Sequence, residues 1–205
     1  MKSRLEKIAF AVVIAPLAPI AGLLGFWWTS YVFSPEKWIP FYAIAGFLLG
    51  MGADIFILKQ FLPRTNKLSL GFWAVVFLFC SVGLFGFFMG IPVFNALLAI
   101  PAGFVIGARL ASENADRTRV QKMTWEITLF TTGILFLICI ASAFFALTSS
   151  STPDDLQGML GLGFEVTQSM VIGLIVIGGI LLLSVNAALT AAAIRLTHAF
   201  LSPKI

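Results

Sequence analysis

The stretch Gly90–Lys122, GIPVFNALLAIPAGFVIGARLASENADRTRVQK, decides how the chain is arranged. It contains a tight turn, a charge-free segment interrupted by Pro101, and the densest basic cluster in the protein. From Leu68 to Ala108 no residue is charged. That length suffices for two membrane crossings at about 20 residues each. Gly90-Ile91-Pro92 is the place where the two crossings must fold back on one another.

Composition extends this reading to the whole chain. Of 205 residues, 60% are hydrophobic and only 11% charged, where soluble domains carry charge on about a quarter of their residues. The apolar runs are continuous and do not alternate, which argues against a membrane β-barrel and predicts helices that satisfy their own backbone groups. The expected fold is all-α, a polytopic bundle of six transmembrane helices forming a single domain over residues 1–205. Cys80 and Cys139 fall inside apolar runs, where thiols pack as small hydrophobes. With His198 the only histidine, haem and metal ligation lack donors within the membrane, and no metal or cofactor is expected.

Outward from the central stretch, Ile8–Pro35 is uncharged and follows Lys2, Arg4 and Lys7. This run exceeds the about 7 to 15 residues of a secretory signal core and has no suitable small-residue cleavage site, so an uncleaved first helix is expected. The second helix spans about Trp38–Leu62, the third Leu68–Met89, the fourth Pro92–Ser112 and the fifth Met123–Leu147. Ser149-Ser150-Ser151-Thr152-Pro153-Asp154-Asp155 then reads as a turn, and a sixth helix occupies the uncharged run between Glu165 and Arg195. Six crossings with both termini cytoplasmic place every Lys and Arg except Lys37 inside, as the positive-inside rule requires. Trp27, Trp28 and Trp38 mark one interface, Trp73 and Trp125 the other. The net charge of +4 is therefore a topology signal, and a nucleic-acid partner is not expected.

Prolines supply the first functional pointer. Pro16 and Pro19 fall inside the first helix and Pro101 inside the fourth, and each removes a donor and frees a carbonyl in hydrocarbon. Pro19-Ile20-Ala21-Gly22-Leu23-Leu24-Gly25 also resembles Pro101-Ala102-Gly103-Phe104-Val105-Ile106-Gly107. Interrupted helices at matching places in halves 1–89 and 90–205, of opposite orientation, are a pattern of transporters. The substrate-binding candidates are Pro16, Pro19, Asn95, Pro101, Glu165 and Gln168. Small residues stack on helix one (Ala11, Ala15, Ala18, Gly22), helix two (Ala43, Gly46, Gly50) and helix four (Ala99, Gly103, Gly107), and these are packing faces. Thr128, Thr131 and Thr132 bond their own helix or line a polar path.

Asp54 is the acid least able to reach an interface. It continues the Gly46–Gly50 face, and Arg109 is its expected partner, as a buried ion pair or as part of a proton- or cation-coupling site. Glu126 is paired with Lys122 one turn earlier. No nucleophile–base pair, carboxylate dyad or phosphate loop is present, which argues against an enzyme. Binding and passage of a small solute at mid-membrane is the leading expectation. The alternative is a non-catalytic accessory or assembly subunit. Expected partners are the lipid bilayer, a small-molecule solute, and a second copy or another membrane subunit.

Overall fold

The computed structural model describes residue 11 and residues 15–61, 68–88 and 90–202, with backbone alone at residues 57–61 and 159–160. Lys2, Arg4, Lys7, Arg64, Lys67, Met89 and Lys204, and the side chain of Lys59, lie outside the described residues. The described chain is largely helical, with no strand among the described residues. Helix α1 spans Leu17–Phe33, α2 Ile39–Phe61, α3 Leu70–Phe87, α4 Ala99–Ser112, α5 Arg117–Thr148, α6 Thr152–Leu160 and α7 Gln168–Leu201. A 3-10 turn, Glu36–Trp38, precedes α2, and a 3-10 segment, Pro92–Leu98, runs directly into α4. Among the described residues, five helical stretches are long and apolar enough to cross a membrane: Glu36–Phe56, Leu70–Phe87, Pro92–Ser112, Arg117–Thr148 and Gln168–Leu201.

The described start of α1 is set by proline. Sequence predicts one long first helix broken near its middle; ahead of α1 the structure describes only residue 11, which is helical, and the turn at residues 15–16. Pro16 is the residue before α1, and Pro19 falls in the first turn, where an N–H has no intrahelical acceptor and its absence costs nothing. Pro101 acts similarly: it leaves the carbonyl of Leu97 without an α-type donor, and the backbone before Ala99 tightens into the 3-10 form. The turn expected at Gly90 forms there with φ +84°, a backbone angle that favours glycine.

Two ends depart from expectation. The fifth helix starts at Arg117, ahead of the predicted Met123, because the Asp116 carboxylate accepts from the backbone N–H of Arg119 and caps it. Part of the predicted turn after Ser149 is the short helix α6, with Pro153, Asp154 and Asp155 in its first turn. Proline and acids are favoured at that position by the free N–H groups and the helix dipole.

Packing divides the bundle into two tight groups with α3 between them. In the first, α1 lies along α2: a Cβ on Gly22 would strike the Gly46 carbonyl oxygen, and one on Gly50 the carbonyl of Ala18. In the second, α4 lies along α7, where a Cβ on Gly103 would fall 2.6 Å from Ala193 Cβ and one on Gly107 2.8 Å from Thr197 Cβ. α5 completes this group against α7. The small-residue faces thus let backbones approach closely, and Ile106, Leu110 and Ile194 are buried where α4 meets α7. α3 touches both groups more lightly, with Leu24 over Gly83 and Trp28 over Gly86.

Candidate functional site

The light packing of α3 leaves space beside it. A cavity of about 350 Å³ lies between α3, α4 and α5 and is closed at one side by Leu17, the first residue of α1. Trp73, Phe77, Pro101, Val105, Ile106 and Phe130 supply much of its wall. The break at Pro16 and the break at Pro101 therefore border one space. Pro101 itself lines it, whereas Pro16 is exposed and Pro19 is buried one turn into α1. Among the lining side chains only Trp73, Cys80 and Thr131 carry a heteroatom, so the wall is a hydrocarbon surface. A second apolar cavity, about 620 Å³, lies on the other side of α3 against α1 and α2.

The remaining predicted site residues are elsewhere. Asn95, 3% exposed, sits in the 3-10 segment one turn before Leu98, a cavity residue. Its Nδ2 donates to the Ser81 carbonyl at 2.6 Å, fastening the segment to α3, while its Oδ1 is buried without a partner. Glu165 and Gln168 are exposed beside the N-terminus of α7 and do not line the cavity. That terminus is capped by Thr167, whose hydroxyl accepts from Met170 N–H.

Asp54 and Arg109 are not joined. The Arg109 Nε donates to Glu113 Oε1 at 3.0 Å and its Nη1 to the carbonyl of Leu68 at 3.0 Å. Arg119 approaches the other oxygen of Glu113. The expected Asp54–Arg109 ion pair is absent among the described residues, because a carboxylate one turn along α4 is nearer to the guanidinium. Asp54 does face protein, 8% exposed on the α2 face that meets α1, but its Oδ1 has no hydrogen-bond partner. Lys122 and Glu126 form the surface pair expected of them, at 3.9 Å.

A polar cluster outside the predicted site closes the α5–α7 interface. Asn186 and Thr190 are sealed from solvent and Thr131 is nearly so. Asn186 Nδ2 donates to Thr132 Oγ1 at 3.1 Å, and Thr131 and Thr190 hydroxyls are 3.0 Å apart. The Thr190 hydroxyl also reaches the Asn186 carbonyl at 2.9 Å. Each hydroxyl has one proton, so Thr190 donating to the carbonyl requires Thr131 to donate to Thr190. The sequence signal for this cluster is the spacing of Asn186 and Thr190, one turn apart on α7, opposite Thr131 and Thr132.

No family model, curated protein or solved structure matches the chain.

Proposed function

We propose that the chain is a multi-pass protein of the cell membrane, with six crossings and both termini cytoplasmic, that binds and translocates a small, largely apolar solute in the cavity beside α3. The observation that carries this reading is that Leu17, next to the Pro16 break, and Pro101 line one cavity. The cavity lies where two tightly packed helix groups meet, and such a boundary is where helix groups rock in transporters. Its hydrocarbon wall supports an apolar solute and gives an ion no ligands. Asp54, buried with a bare oxygen, is the coupling acid of this reading.

The test is native mass spectrometry of protein extracted from its own membrane. A bound small molecule at fixed stoichiometry, lost on Ala102→Trp, is the expected result, since Ala102 lines the cavity and an indole there fills it. Retention of the molecule by Ala102→Trp, or none in the native protein, counts against the reading. The second reading, a non-catalytic subunit of a larger membrane assembly, is favoured by the bare first half of α7, where Ile172, Leu174, Ile177, Ile180 and Leu181 are all exposed. A stoichiometric partner protein with an empty cavity is the outcome that selects it.

A further inference from the structure

We propose that the occupant of the cavity beside α3 is an amphiphile with one hydrocarbon chain and an anionic head, the chain lying along α3 and the head held at Arg109; this rests on reading the cavity as a binding site. The dimensions fit a chain. From Leu70 to Cys80, both in the wall, the rise at about 1.5 Å per residue is about 15 Å. A volume of about 350 Å³ is at the small end of ligand cavities, which run from about 300 to 1,000 Å³. A single hydrocarbon chain is the simplest occupant of that space. Charged recognition inside the cavity is lacking: of its three heteroatom-bearing side chains the Thr131 hydroxyl is already engaged by Thr190, and the Trp73 indole and Cys80 thiol carry no positive charge for an anionic head. A charged end must therefore project out.

Arg109 marks the end through which it projects. It lies one turn beyond Ile106 on α4, and its Nη1 reaches the carbonyl of Leu68, two residues before Leu70. Ile106 and Leu70 both line the cavity, so the guanidinium spans the gap between α4 and the start of α3 at the cavity's edge. Its two bonds, to Glu113 and to Leu68, use two of the five N–H groups of a guanidinium. Arg109 and Arg119 share the single carboxylate of Glu113, which leaves one positive charge in excess. A carboxylate or phosphate head complements that charge and the fork of donors. A neutral head does neither.

The experiment uses purified full-length protein in which Trp27, Trp28, Trp38 and Trp125 are replaced by Phe, leaving as the only indole Trp73, which lines this cavity and the second one; Ala102→Phe, in the wall of this cavity and not of the other, must therefore weaken the quenching. The probes are stearic acid with a mid-chain nitroxide, ionised, and its methyl ester. Saturable quenching of Trp73 by both is expected, with the acid binding about tenfold more tightly, the size of one charge-assisted hydrogen bond. Arg109→Gln should remove that preference, and saturable quenching by the ester in the same variant reports that it is folded. Equal affinities for acid and ester, or a preference that survives Arg109→Gln, overturn the assignment of the head and leave the cavity reading standing. Absence of saturable quenching by either probe overturns both.

Discussion

Thr131 on α5 and Thr190 on α7 meet hydroxyl to hydroxyl at 3.0 Å, in an interface that excludes solvent from both. Without water, each hydroxyl must find its partners within the interface: besides each other, Thr131 has its own helix carbonyl at Thr128 and the Asn186 amide at 3.5 Å, and Thr190 the Asn186 carbonyl. A double-mutant cycle with Thr131→Val and Thr190→Val should give a coupling energy of about 0.6 kcal/mol, and at most about 1.7 kcal/mol, as for other hydrogen bonds between membrane helices. Unfolding in mixed micelles measures it. Zero coupling would mean that each hydroxyl is satisfied by its own helix carbonyl.

Glycine substitutions should separate into two classes. At Gly46 a methyl group would collide with the backbone carbonyl of Gly22, which cannot move without parting α1 from α2, whereas at Gly133 nothing lies within 4 Å. Gly46→Ala is expected to destabilise by about 1 to 3 kcal/mol, the cost of overpacking. Gly133→Ala should be neutral or gain up to about 1 kcal/mol from helix propensity. The same micelle assay compares them, and equal effects would contradict the α1–α2 packing.

Orientation is tested by single cysteines in a protein with Cys80 and Cys139 replaced by Ala. Ser151 precedes α6 and Thr118 is in the first turn of α5, and both are exposed. With the proposed topology, a cysteine at Ser151 reacts with an impermeant thiol reagent added outside intact cells and one at Thr118 does not. The opposite result inverts the topology.

How far the sequence alone reaches can be seen residue by residue. Long uncharged runs located the apolar helices because a membrane-crossing helix needs little beyond length and hydrophobicity. Gly22, Gly46, Gly50, Gly103 and Gly107 announced close packing, but not the partner: Gly103 and Gly107 receive α7, not a neighbour in sequence. Pairing across a bundle depends on shape summed over many side chains, and no local pattern encodes it. The same limit explains Arg109. Its spacing allowed a pair with Asp54, yet Glu113 lies one turn away on the same helix, and local geometry won. The cavity was foreshadowed only by Pro101, since a void is a property of several helices together.

Pro101 offers a prediction about conformation. Replacing it with Ala restores a donor for the Leu97 carbonyl and removes the clash that bars an α-helix there. The 3-10 segment Pro92–Leu98 should then become α-helical, shortening by about 0.5 Å per residue. That shift would pull Asn95 away from the Ser81 carbonyl, a bond of 2.6 Å in the native chain. Pro101→Ala should therefore raise helicity by circular dichroism while weakening binding in the adjacent cavity. Unchanged binding would show that the 3-10 form does not shape the site.

Asp54 provides the sharpest test of the coupling role. Its carboxyl lies on the face of α2 that meets α1, 8% exposed, with Oδ1 unpartnered. An aspartate at the centre of a membrane helix costs about 2.5 to 3.5 kcal/mol to insert. If that cost is not offset by a partner, the isosteric change Asp54→Asn should stabilise the protein, by an amount on the order of 1 kcal/mol for a residue nearer the helix end. A residue kept for structure has the opposite sign: removing one member of a buried ion pair destabilises by about 3 to 5 kcal/mol. Stability of Asp54→Asn in mixed micelles therefore separates the two roles before any solute is identified. A stabilised variant that still binds solute at the cavity, but in proteoliposomes no longer moves it when a proton gradient is imposed, is the expected outcome. A large loss of stability would assign Asp54 to structure and end its candidacy as the coupling acid.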